Sequence, residues 1–214
     1  PWARREHAPQ RAAAPPPDLR AFALMILMGA LLLVRRRYPL GVLLASIAIL
    51  LVVAGNETTR NAMSHGLKLL TDNPEQRALL LEDFDKYAPG AVEEIVRMST
   101  PVIQFRRTLT RDYEMNGHQY RAGDKVLLFY NSANRDETVF ENPGSFDITR
   151  SPNPHVGFGG PGPHFCLGAN LARREMTVMF RELFTRVPNI RATGEPDRLF
   201  SSFINGIKHL PCAI

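Results

Sequence analysis

The run Phe158-Gly-Gly-Pro-Gly-Pro-His-Phe-Cys166-Leu-Gly168 closes a stretch, residues 150–166, dense in proline and glycine. Proline lacks the backbone donor and glycine lacks conformational restraint, so such a stretch cannot be a helix interior or a central strand. It predicts a long irregular loop ending at Cys166, where a helix begins that repeats Ala172, Met176, Met179 and Leu183 on one face. A cysteine at that junction meets helix-start amides and a positive dipole end, which stabilise a thiolate. An anionic sulfur in a tight loop suits an axial iron ligand. On residue type alone a buried free cysteine is the plainer alternative. Zinc is weaker still, because His164 and Cys166 lack the second pair that a closed tetrahedral site needs.

The rest of the chain divides into unlike parts. Its 214 residues at 24.0 kDa allow one medium domain or two small ones, and 44% apolar content excludes a wholly disordered chain. The net charge of +5 is local: residues 1–60 hold eight Arg against Glu6, Asp18 and Glu57, while residues 61–214 balance. The high pI therefore argues for no nucleic-acid partner. Two cysteines, Cys166 and Cys212, make no disulfide framework. Residues 1–20 read as an extended Pro/Arg-rich tail, followed by apolar runs Ala21–Val34 and Tyr38–Gly55 on either side of Arg35-Arg36-Arg37. The first run is short of the roughly 20 residues that span a bilayer, and the second is borderline. No small-residue cleavage site follows a short apolar segment, which argues against a signal peptide. The preferred reading makes Leu43–Val53 the first half of a long buried helix continuing through Ala54-Gly-Asn-Glu-Thr-Thr-Arg60; a membrane hairpin through residues 21–55 is the competitor.

From residue 56 the pattern is that of a compact domain. Asp72-Asn73-Pro74 stops one helix and starts another, and Ala91–Met98 is a short helix ended by Thr100-Pro101. Asn116-Gly117 between Tyr113–Met115 and His118–Tyr120 is a hairpin signal, and Lys125–Tyr130 reads as a strand. Glu94 and Arg97, three apart on a helix, are ordinary surface neighbours when taken alone. Ala54-Gly55 would let a helix pass close to a flat group, and Glu57-Thr58 pairs an acid with an alcohol able to relay protons. His155 reads as a loop hydrogen-bonder; His65, His118 and His209 carry no partner pattern.

Taken in order, these segments resemble the C-terminal part of the cytochrome P450 family, from about Ser46 to the end. The Cys166 loop is similar to the family's haem-binding loop, in which the thiolate ligates iron and promotes O–O cleavage. Phe158 stands eight residues before Cys166, where the common signature places its aromatic seven before; this longer loop is similar to a subgroup acting on methyl-branched lipids and steroid side chains. The resemblance makes Glu94-Ile-Val-Arg97 the family's E-x-x-R helix and Arg150 the third member of its structural charge network. It makes Ala54–Thr59 the oxygen-binding helix, with Glu57 as acid and Thr58 as alcohol. Arg106, nine residues after Arg97, and His164 match propionate-binding positions, with Arg107 the solvated neighbour. Phe158, Gly159, Ala54 and Gly55 would lie against the cofactor, and Val102, Ile103, Phe203 and Ile204 along an apolar substrate pocket.

The implied fold is mainly α with small β-sheets. Residues 1–42 form an atypical tail and 43–214 an incomplete haem-binding region. The implied function is a monooxygenase using haem b and O2 on a lipid- or steroid-like substrate. Electrons would come from NAD(P)H through a ferredoxin reductase and an acidic ferredoxin docking near Arg173 and Arg174, in the cytoplasm. Residues 1–42 do not resemble the family. Their Leu-Leu-Leu-Val-Arg-Arg-Arg-Tyr-Pro stretch is weakly similar to membrane segments of sensor kinases. A truncated or chimeric non-catalytic fragment, tethered through residues 21–55, is therefore the alternative.

Overall fold

The computed structural model describes residues 37–214, with isolated positions 23, 26, 27 and 30 before them. The Pro-rich tail and the rest of the first apolar run lie outside the described residues. Contacts divide the chain into two units, Pro1–Leu50 and Leu51–Ile214.

Helix α1 runs unbroken from Pro39 to Asp72, so the expected continuity of Leu43 through Arg60 is found. Its expected burial is not found over the described residues 43–49. Leu40, Leu43 and Leu44 are exposed, and Val42 is the only buried side chain among those described from 37 to 49. The reason is where the core gathers: buried side chains cluster on the C-terminal half of α1, at Thr59, Asn61, Ala62, His65, Leu67 and Leu70. By length and composition α1 is apolar enough to cross a membrane.

Asn73 ends α1 by donating its side-chain amide to the Leu69 carbonyl at 2.8 Å, and Pro74 occupies the first turn of α2 (Pro74–Glu82). Helix α3 (Phe84–Ser99) starts seven residues before the expected Ala91. Pro89 stands inside this helix, which Asp83 caps by accepting from the Lys86 N–H and whose face Ala88, Ala91, Val92, Ile95 and Val96 is buried. Gly90 is required by proximity, since a Cβ there would sit 2.3 Å from the Ile148 carbonyl oxygen. Thr100 closes α3 in the left-handed conformation (φ 37°), its N–H donating to Val96 O.

The strands form four two-stranded antiparallel sheets. Strands β1 (Gln104–Thr108) and β4 (Lys125–Phe129) pair from Gln104↔Phe129 to Thr108↔Lys125. Strands β2 (Tyr113–Met115) and β3 (His118–Tyr120) form the expected hairpin, with positive φ at both Asn116 and Gly117 as a type I′ turn demands. Tyr130 leaves the expected strand to open the single turn α4 (Tyr130–Ala133). After the long loop comes α5 (Ala169–Arg186), then the pairs β5 (Arg191–Ala192) with β8 (Cys212–Ala213), and β6 (Asp197–Arg198) with β7 (Ile207–His209).

The core joins the C-terminal half of α1 to α2, α3 and α5 through Leu70, Leu80, Ile95, Met176, Phe180 and Phe184. Helix α5 begins at Ala169, three residues beyond Cys166, and its buried face is Ala169, Met176, Phe180 and Phe184 rather than the expected stripe. Met179 is exposed, because the wider aromatic side chains on the adjacent stripe fill the space against α1, where Phe180 Cζ would lie 2.7 Å from a Cβ on Gly66. The molecule is mainly helical with small sheets, the class expected.

Candidate functional site

Helix α3 supplies the centre of a fully buried charge lattice. Arg97 and Glu94, both 0% exposed, pair through two near-parallel hydrogen bonds, Nε to Oε2 at 2.8 Å and Nη2 to Oε1 at 2.7 Å. Arg150 donates to Glu94 Oε1 at 3.3 Å, the Asp147 N–H to the same oxygen at 3.1 Å, and Asn153 Nδ2 to Oε2 at 2.9 Å. The remaining Arg97 donors reach the carbonyls of Asn134, Pro143 and Ser145 at 2.8–2.9 Å, with the guanidinium over the Phe140 ring. Every charge is thus matched by hydrogen bonds, the condition under which a buried ion pair is tolerated. Asn134, also fully buried, carries the lattice onward. Its Oδ1 accepts from the Val156 N–H at 2.8 Å, at the root of the cysteine loop, while its Nδ2 donates to Thr100 Oγ1 at 3.0 Å.

The loop itself is closed by backbone. The Cys166 N–H donates to the Phe158 carbonyl at 2.9 Å, and Phe165 N–H to Gly162 O at 3.1 Å. Gly159 and Gly162 both have φ in the left-handed region, +89° and +130°, and a Cβ on Gly159 would lie 3.5 Å from the His164 carbonyl. Cys166, His164 and Phe165 face outward from this turn and are exposed, while Phe158 and Gly159 are half-buried. Cys166 is therefore an accessible thiol on a rigid turn, not the buried free cysteine that residue type alone favours.

A second lattice, not anticipated from the sequence, binds the loop to α3 and α5. Glu93 accepts from His155 Nε2 at 2.9 Å and from Arg173 Nε and Nη2 at 2.5 and 3.0 Å. The Gly157 N–H donates to His155 Nδ1 at 3.1 Å, which fixes Nε2 as the protonated nitrogen. Burial alone would raise the Glu93 pKa, but the hydrogen bonds from His155 and Arg173 outweigh it and hold the carboxyl at about 2. The same contact raises the Arg173 pKa. Arg173 also stacks over the Phe158 ring at 4.5 Å. It is committed to the loop rather than free to meet a docking partner; Arg174 beside it is exposed. No sequence signal marked this cluster beyond the loop-facing place of His155, since its contacts span 62 and 80 residues.

The other expected residues form more open surfaces. On α1, Ala54 and Glu57 are exposed and Gly55 and Thr58 half-buried; Thr58 Oγ1 donates to the Ala54 carbonyl at 2.7 Å, and Glu57 pairs with Arg60 at 2.7 Å. Arg106 on β1 is exposed. Arg107, expected to be the solvated neighbour, is half-buried across the ring of Phe105 at 5.5 Å, because alternate strand residues take opposite faces. The two expected apolar segments do meet: Val102 pairs with Ile204, and the Ile103 N–H donates to Phe203 O at 2.8 Å. Phe105 packs edge-on to Phe203 at 5.5 Å and tilted to Tyr130 at 5.8 Å. His65 is buried against the Asn205 carbonyl, whereas His118 and His209 are exposed.

Comparison with known proteins gives this arrangement a lineage. The cytochrome P450 family model matches residues 43–187. The chain is 61% identical over 168 residues to the methyl-branched lipid omega-hydroxylase of Mycobacterium tuberculosis, covering 78% of this chain and 39% of that protein. It is 51% identical over 160 residues to the steroid C26-monooxygenase of Rhodococcus jostii, covering 75% and 33%. Among solved structures, a Mycobacterium marinum cytochrome P450 in complex with pseudoionone superposes with TM-score 0.77 at 52% identity, over 79% of this chain and 41% of that one. A Bacillus megaterium enzyme of the family, in complex with testosterone, superposes with TM-score 0.75 at 32% identity, over 89% and 57%. The chain spans about two fifths of the length of the curated relatives it matches first. With the family model covering most of its length and close relatives on both sequence and structure, the chain belongs to the cytochrome P450 family.

Proposed function

We propose that residues 43–214 are the haem-binding region of a monooxygenase that inserts one oxygen atom from O2 into a C–H bond of an apolar, lipid- or steroid-like substrate. The observation that carries this reading is the closed Cys166 turn, pinned to a buried Glu94–Arg97–Arg150 lattice through Asn134. The residues present fit a haem. One accessible cysteine stands on a glycine-bearing turn, the soft sulfur donor type that iron accepts, with the exposed side chains of Arg106 and His164 available to hydrogen-bond carboxylates. Among the described residues no cluster of three or more His, Cys, Asp or Glu offers a rival metal site. When bound, haem b supplies the redox centre at which O2 is activated.

The chain's own residues then have separate tasks. Cys166 would ligate the iron through its sulfur. Arg106 and His164 would hold the propionates, Phe158 and Gly159 would line the loop side, and Ala54 and Gly55 would leave room on α1. Glu57, open to solvent, is the acid that would pass protons inward, and Thr58 would relay them once its hydroxyl turns from the Ala54 carbonyl. Val102, Ile103, Phe203 and Ile204 form the apolar wall that receives a lipid tail and excludes water. The relatives' names, a methyl-branched lipid omega-hydroxylase and a steroid C26-monooxygenase, support that substrate class. Electrons come from NAD(P)H through a ferredoxin reductase and an acidic ferredoxin, for which Arg174 remains an exposed contact. The need for NAD(P)H-derived electrons supports a cytoplasmic location, and the exposed Leu40, Leu43 and Leu44 support membrane contact within residues 21–55.

A second reading, a chain that does not hold haem by itself, is favoured by one observation: Glu57, Arg106, His164 and Cys166 are all exposed. A reduced, carbon-monoxide difference spectrum after haem reconstitution separates the two. A strongly red-shifted Soret band, lost in Cys166→Ala, supports thiolate ligation; no such band in the parent chain supports the second reading.

A further inference from the structure

Two buried polar side chains of α1 lie outside the functions proposed above. Asn61, 1% exposed, accepts the Ile207 N–H on Oδ1 at 2.8 Å. A backbone N–H only donates, so this contact identifies the amide oxygen, and Nδ2 is then the atom that donates to the Glu57 carbonyl at 2.7 Å. His65, one turn further, places Nε2 3.0 Å from the Asn205 carbonyl. A carbonyl only accepts, so Nε2 carries the proton. Burial pushes the imidazole pKa down, which keeps the ring neutral.

The segment they grip is held from its other side as well. Asn205 donates its N–H to Pro101 O at 3.0 Å and its Nδ2 to Ser99 O at 2.5 Å, beside the Val102–Ile204 pairing. Gly206 fits only because it lacks a side chain: a Cβ there would meet Leu199 Cβ at 2.9 Å. One amide, Asn61, thus touches both the turn bearing Glu57 and the strand that follows Phe203 and Ile204.

We propose that Asn61 and His65 are positioning residues that lock the Phe203–Ile207 segment onto the α1 turn carrying Glu57 and Thr58. They thereby set the spacing between the apolar wall and the proton-relaying pair. The meaning of that spacing rests on the function proposed above; the anchoring itself does not.

The test is backbone hydrogen exchange across residues 204–207 in the full chain. Asn61→Leu raises exchange at Ile207 about tenfold or more, and His65→Phe does so across 205–207. His65→Gln, which keeps a donor, stays within about twofold of the parent. The β1–β4 ladder serves as reference and keeps its protection. In the haem-loaded chain, the spectral shift induced by a methyl-branched fatty acid needs about tenfold more lipid in Asn61→Leu, with the carbon-monoxide band unchanged. Unaltered exchange at 204–207 in both disruptive variants overturns the proposal, as does His65→Gln behaving like His65→Phe, or protection lost equally from the β1–β4 ladder. Should Asn61→Leu fail to fold, the His65 pair decides. A parent chain with no lipid-induced shift sinks the proposed function, and the exchange comparison still decides the anchoring.

Discussion

Two regions named by motif behave oppositely in this molecule. The Glu94–Arg97–Arg150 lattice is sealed: both central side chains are fully buried, and their partners come from 97–150 and the loop that follows. The Ala54–Thr58 turn is open, with only a local hydrogen bond four residues back and an exposed pair between Glu57 and Arg60. Buried ions must find every partner or unfold the protein, whereas a group meant to meet a reactant must keep its bonding capacity free. Among the described residues the cysteine loop is thus tied to a buried lattice, while Glu57 and Cys166, the groups proposed for chemistry, are exposed.

That contrast is open to measurement. Arg97→Leu strips the buried Glu94 of its two-point partner, so chemical denaturation should register a loss of roughly 3–5 kcal/mol; a loss under 1 kcal/mol would break the contrast. Met176→Ala in the core under the same lattice should cost about 3 kcal/mol by the same assay. Glu93→Gln sharpens the comparison at the loop's edge, costing on the order of 1 kcal/mol at neutral pH after discounting for solvent screening. The folded pKa of Glu93, about 2, lies below the ordinary 4.5. Its contribution is therefore whole above pH 4.5 and disappears as pH falls toward 2, and an acid titration of the variant should lack that component. Glu57→Ala should change stability by less than about 0.5 kcal/mol, since its partner is an exposed neighbour on the same helix. A larger loss would show that the open turn carries structure after all.

What the sequence made legible follows the range of each contact. Asn116-Gly117 and the Asp72-Asn73-Pro74 break are local chemistry, and both stand where the pattern placed them. Glu94 and Arg97, one helix turn apart, read as ordinary surface neighbours by spacing alone and stood out only through the family resemblance; the structure buries both fully. The Glu93–His155–Arg173 lattice and the Asn134 hub did not stand out, since neither residue type nor spacing announces a partner tens of residues away. Pro89-Gly90 concealed the first turns of α3, because a cap at Asp83 and packing against Ile148 outweigh weak propensity. The α1 burial expectation failed for a related reason: apolarity says a side chain benefits from cover, not that the described chain provides it.

The single hydrogen bond from Cys166 N–H to Phe158 O has a mechanical consequence. It acts as a clasp across the mouth of the turn, so the two ends keep their mutual register whatever happens between them. An inserted or deleted residue in the exposed Gly160–Pro163 arc is absorbed there as slack. The length of that arc is thus decoupled from the register between the sulfur and the aromatic ring.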